Sequence, residues 1–267
     1  MTAFTLKVIA LTAMVMDHIG AIFSMQLYDM QIGGFSAAQW CRIIGRLAFP
    51  IFVYLIAEGC RHTKSMERYL LRLGAFALIS EIPFDMAFHQ SHDSYFSVDF
   101  MNGANIFYTL FLGALGIYTH QLIREKCRVK WQAWLFTPVV VFALMMLADY
   151  FSTDYGPYGV AFVFIMHIIP IKPFRLAAMA LCCAYQFESA SLGLLYRFTG
   201  IPALSRYAFT TNGFIVAMLI GCLSSVLLAA LYNGKRGYGM KWLFYFAYPA
   251  HLLVLAGIWL WIVRPGL

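Results

Sequence analysis

The chain has 267 residues, of which 62% are hydrophobic and only 12% charged, with a mean hydropathy of +0.73. A soluble domain is nearer half apolar and a quarter charged, so a soluble enzyme or binding module is excluded. The net charge of +7 fits the Lys- and Arg-rich cytoplasmic loops of a membrane protein better than a nucleic-acid surface.

In lipid the backbone must satisfy its own hydrogen bonds, which leaves helices and closed barrels. The apolar runs are long and continuous, not short and alternating, so the expectation is an all-α, polytopic membrane helix bundle forming one domain over 1–267. Runs at 5–25, 42–60, 68–88, 104–123, 133–149, 157–171, 174–188, 212–232 and 241–263 predict about nine spans. The sixth and seventh are short and joined by Pro170-Ile171-Lys172-Pro173, which suits a hairpin or a partly re-entrant pair. The stretch 189–211 reads as an outer loop with an interfacial helix. No cleavable signal is expected, because the first apolar run is long and lacks a basic leader. The six cysteines are scattered without a CxxC, so neither a disulfide framework nor a zinc site is indicated.

Basic residues set the orientation. With a cytoplasmic N-terminus the inner face receives Lys7, Arg61, Lys64, Arg68, Arg72, the 124–130 cluster, Lys172, Arg175, Lys235, Arg236 and Lys241. The outer half keeps Arg42, Arg46, Arg197, Arg206 and Arg264.

The first span carries adjacent Asp17 and His18 deep inside, and ionisable residues at such depth are costly and point to function. At about 1.5 Å per residue, His18 lies roughly 17 Å beyond Lys7, Glu81 roughly 20 Å beyond Arg68, and His251 roughly 15 Å beyond Lys241. Arg46 falls at a similar height on the second span. Asp17, His18, Arg46, Glu81 and His251 are therefore expected in one slab, with Asp17 paired to Arg46 and His18 turned to a polar cavity. Asp85 lies one turn above Glu81, Asn105 opens the fourth span nearby, and Pro50 and Pro83 are expected to break their spans beside this layer. A structural ion-pair lock, a proton-coupled carrier and an enzyme all use such groups.

On the inner face, Arg61, His62, Arg68 and Arg72 form a basic rim, with Arg68 and Arg72 on one helix face. Arginine is well suited to phosphate, so a polyphosphate ligand fits there, against the blander reading of positive-inside bias. His89, His92 and Asp93 read as a polar loop before a metal site. No GxSxG, Walker loop or HExxH is present.

Asp17-His18-Ile19-Gly20, the run from Arg42 to Pro50, Glu58-Gly59 with His62-Thr63, and Tyr69-Leu70-Leu71-Arg72-Leu73 resemble the TraX family. So do Ile79-Ser80-Glu81-Ile82-Pro83-Phe84, Asn105 with Thr109-Leu110, Asp149-Tyr150 with Tyr158-Gly159, and the closing stretch from Phe244 to Leu252. The resemblance covers nearly the whole chain. It implies a transmembrane acetyltransferase of the bacterial inner membrane, taking acetyl from cytosolic acetyl-CoA and delivering it to an acceptor such as a pilin N-terminus. On that reading Arg61, His62, Arg68 and Arg72 hold the nucleotide, and His18 is the general base or a transient acetyl carrier. Asp17 orients the site, Arg46 stabilises the oxyanion, and Glu81 and His251 complete the polar wall. The alternative is a proton-coupled transporter or exporter built on the same buried charges, with no clear inverted repeat to support it.

Overall fold

The computed structural model describes residues 1–88 and 103–263. The His89, His92 and Asp93 group lies outside the described residues, as does Arg264. The described chain is almost wholly helical: α1 (Ala3–Ile22), α2 (Ala37–Gly45), α3 (Ala48–His62), α4 (Met66–Phe88), α5 (Ile106–Lys126), α6 (Ala133–Tyr150), α7 (Gly156–Ile168), α8 (Lys172–Gln186), α9 (Glu188–Thr199), α10 (Ser205–Thr210), α11 (Gly213–Ala230) and α12 (Lys241–Ile258). Among the described residues, six helical segments are long and apolar enough to cross a membrane, or seven if α8 and α9, bent by 98°, form one broken span. Helix α4 has the length, but Arg72, Glu81 and Asp85 sit within it; α7 is apolar but has only 13 residues.

Two expectations are corrected. The second span breaks at Arg46–Leu47, between α2 and α3, not at Pro50. Pro50 stands in the first turn of α3, where its missing N–H costs nothing. Pro83 lies inside a continuous α4. The 189–211 stretch, expected as an outer loop with an interfacial helix, holds α9, a 3-10 turn at Pro202–Leu204, and α10. The link between α1 and α2 also holds a small hairpin, Gln31–Ile32 against Phe35–Ser36, turned by Gly33 and Gly34 at φ +57° and +87°. Two consecutive positive φ values are what a two-residue hairpin turn demands, and glycine accepts them without strain.

The contacts cluster into two compact units, one of residues 1–52 and 171–244, the other of residues 53–170 and 245–267. In the first, α2 lies between α1 and α11, and glycine permits both approaches. A Cβ on Gly20 would stand 2.7 Å from the Ala38 carbonyl, and one on Gly221 would stand 2.4 Å from the Ile43 carbonyl. Small residues at helix crossings are how membrane helices gain close backbone packing. Ser36 caps α2 reciprocally with Gln39, and Asn212 caps α11 through Ile215 N. The second unit packs α4, α6 and α7 around α5, where a Cβ on Gly113 would stand 2.6 Å from Val163 Cβ.

Candidate functional site

In the first unit, α1 brings Asp17 against the C-terminal turn of α2. One Asp17 oxygen accepts from Arg42 Nη1 at 2.5 Å and the other from Arg46 Nη2. Arg46 Nε also donates to the Arg42 carbonyl at 3.3 Å, which holds the two arginines in register. The close approach requires Gly45, since a Cβ there would stand 2.1 Å from Asp17 Oδ1. The expected Asp17–Arg46 pair is present, and Arg42 joins it. Sequence depth had placed Arg42 near the outer end, but its spacing of four from Arg46 was the signal that both share one helix face. The Arg42 side chain is 32% exposed against 10% for Arg46, so Arg42 presents the wetter guanidinium. His18 is half-buried on α1, next to Asp17. It points about 100° away from Asp17, as adjacent helical residues do.

In the second unit, Glu81 is fully buried on α4. Asn105, at the N-cap of α5, gives Glu81 Oε2 both its backbone N–H at 3.2 Å and its side-chain amide at 2.5 Å. The same amide donates to the Ala77 carbonyl at 2.8 Å, so Asn105 staples α5 to α4. Asp85 is buried one turn beyond Glu81. On α12, His251 Nδ1 lies 2.8 Å from the Ala247 carbonyl of its own helix. A carbonyl only accepts, so Nδ1 carries a proton in this bond.

The basic rim divides. Arg61 Nη2 donates to the carbonyls of Met166, His167 and Ile169 at 3.1, 2.5 and 2.7 Å, closing the C-terminus of α7. Its Nη1 lies 3.8 Å from Glu58. Arg61 is thus turned to protein acceptors, contrary to the expectation that it meets nucleotide phosphate. His62 is largely exposed, 3.6 Å from Glu58. Arg68 is exposed on the first turn of α4. Arg72 is half-buried: its guanidinium carbon lies 5.7 Å from the Tyr69 ring centre and it reaches the Tyr245 hydroxyl. Its buried Nε has no hydrogen-bond partner. A buried cationic donor left over in this way suits an anionic ligand. Gly59 makes room for Tyr69, since a Cβ there would stand 2.8 Å from the tyrosine hydroxyl. Among the described residues, no three His, Cys, Asp or Glu side chains are grouped to hold a metal ion.

Apolar helices of membrane-crossing length, with a carboxylate inside the first of them clamped by two guanidinium groups from the second, define a multi-pass membrane protein with a charged centre. The chain belongs to the TraX family: the profile described as TraX protein matches residues 3–259. It is also 30% identical over 261 residues to a protein described as "Probable fimbrial assembly protein FimC, serogroup H1" from Dichelobacter nodosus, covering 95% of this chain and 94% of that one. No solved structure matches.

Proposed function

We propose that the protein is an acetyl-CoA-dependent acyltransferase of the bacterial inner membrane that acetylates an amine or hydroxyl acceptor, in the pilin case a pilin N-terminus. The observation that carries this reading is the Asp17 clamp inside the first span, with His18 on the next residue. A carboxylate held by two arginines is fixed in place, and so is the helix that carries the neighbouring base. Support for an acceptor in fimbrial assembly comes from the name of the Dichelobacter nodosus relative. The proposal takes α4, α7 and the bent α8–α9 pair as crossings alongside the six apolar spans, nine in all. The distribution of Lys and Arg supports a cytosolic N-terminus, on the proposed acetyl-CoA side.

In the proposed reaction, His18 takes a proton from the acceptor as its nitrogen or oxygen attacks the thioester carbonyl. The tetrahedral oxyanion is stabilised by a guanidinium group of the clamp, for which Arg42 is the more exposed candidate beside Arg46. Collapse expels the CoA thiolate, which recovers the proton, and the acceptor keeps the acetyl group. Arg68 and Arg72 hold the nucleotide phosphates; the leftover Nε of Arg72 supports its part. His62 stands on the exposed rim beside them, while Arg61 acts as a helix cap. Glu81 and His251 contribute polar groups from α4 and α12.

The test is calorimetric binding of acetyl-CoA to purified protein, wild type against Arg72→Ala and His18→Ala, followed by acetyl transfer to a pilin-derived N-terminal peptide. Binding that Arg72→Ala weakens and His18→Ala preserves, with transfer lost in His18→Ala, is the expected result. Absence of any acetyl-CoA binding sinks the enzyme reading and leaves the proton-coupled carrier.

A further inference from the structure

We propose that an anionic phospholipid binds in the groove between α6 and α7, with one acyl chain in the groove and its phosphate on the basic residues that end α5 and follow it. The groove has a volume of about 390 Å³ and is walled by Trp134, Val141 and Phe142 of α6 and by Ala161 and Phe164 of α7. Its lining is almost wholly apolar: apart from the Trp134 indole N–H, its polar side-chain group is the Thr137 hydroxyl, which meets His120 Nδ1 at 2.7 Å. Along α6 the lining runs from Trp134 to Met145. Eleven residues at about 1.5 Å each make roughly 16 Å, half of a hydrocarbon core about 30 Å thick. One groove therefore matches the depth of one leaflet and the reach of one acyl chain.

Charge says which lipid. The Trp134 end of the groove is pinned to α5, because the His120 ring lies 4.8 Å from the Trp134 ring. Arg124 stands one helical turn beyond His120, followed by Lys126 and Arg128, all three exposed. At the same end the groove reaches Ile168, whose helix terminus carries the Arg61 guanidinium. The half-exposed Trp134 has the amphipathic ring that settles at a headgroup boundary. An apolar slot one leaflet deep, closed at one end by tryptophan and cations, is complementary to an acyl chain with a phosphate at its head.

The test is native mass spectrometry of the purified full chain titrated with phosphatidylglycerol or phosphatidylcholine of identical acyl chains. Wild type is expected to retain phosphatidylglycerol more tightly. Neutralising the double variant Arg124→Gln/Arg128→Gln should cost roughly fivefold per charge, roughly thirtyfold together, and leave phosphatidylcholine unaffected. Ala161→Phe fills the groove and should weaken both lipids; circular dichroism checks its fold, and the arginine pair, being exposed, carries the test if it misfolds. Equal retention of the two lipids by wild type, or unchanged retention in the arginine variant, overturns the proposal. So does a wild-type dimer that Ala161→Phe splits, which would assign the groove to a second copy of the chain.

Discussion

Replacing Asp17 with Asn tests the charged centre most directly. The side chain keeps its size, but its charge is gone and one of its two acceptors becomes a donor facing an arginine. Two guanidinium groups, one of them only 10% exposed, then share a single neutral oxygen. Removing one partner of a buried ion pair costs about 3–5 kcal/mol, and the retained oxygen places Asp17→Asn at the lower end, about 3 kcal/mol. For a chain of this size each kcal/mol moves the melting temperature by about 2–4 °C, so the drop should be about 6–12 °C. Apparent unfolding temperature in detergent, followed by tryptophan fluorescence at a fixed scan rate, reads it. The triple variant Asp17→Leu/Arg42→Met/Arg46→Met removes the whole charged set and should recover much of the loss, since apolar replacement of complete buried pairs is often neutral or stabilising. A drop below about 2 °C for Asp17→Asn, or a triple variant no more stable than the single, refutes the view that this carboxylate is the counter-charge of both arginines.

Gly45→Ala should destabilise by about 1–3 kcal/mol, because the new methyl meets Asp17 Oδ1 at 2.1 Å and must push α1 off α2; the same thermal scan reads it. Arg61→Ala strips the cap from the three carbonyls at the end of α7 and should cost about 3 kcal/mol, whereas acetyl-CoA affinity measured by calorimetry should stay within about twofold in Arg61→Lys. Asn105→Ala keeps the backbone N–H that meets Glu81 but withdraws the side-chain amide from buried Glu81 and from the Ala77 carbonyl, for a loss of about 2 kcal/mol in the thermal scan. Retention of full acetyl transfer by His18→Ala, measured by mass shift of the acceptor peptide, would remove the base from the proposed reaction.

Counting residues from the basic flanks paired Asp17 with Arg46 and put Asn105 beside Glu81, because a helix in a bilayer converts sequence distance into depth with little freedom. The same count misplaced Arg42. It assumed that the span began near that residue, whereas the capping box of Ser36 and Gln39 starts α2 well before it. The Ser-x-x-Gln spelling and the Gly33-Gly34 pair were both visible, and hydropathy alone passed over them. Arg61 shows the other kind of miss. Its acceptors on α7 lie more than 100 residues away in sequence, and carbonyls at a helix end leave no mark in composition. The bend between α8 and α9 was equally hidden, since Gln186, Phe187 and Glu188 contain neither proline nor glycine.

The glycines and the charges of the first unit are parts of one device. A carboxylate can meet two arginines at the end of α2 only if α1 lies nearly on that helix, which Gly20 and Gly45 allow, and Gly221 lets α11 press from another side. Close packing by small residues fixes the distance between helices but leaves rotation about each axis weakly determined. The two bonds from Arg42 and Arg46 to Asp17 remove that freedom, because turning α1 by a fraction of a residue would break both. His18, one residue on along the same helix, inherits a fixed direction from that clamp. Asp17 therefore acts on the proposed chemistry as a positioning residue, and the strength of its clamp sets how sharply the neighbouring imidazole is aimed.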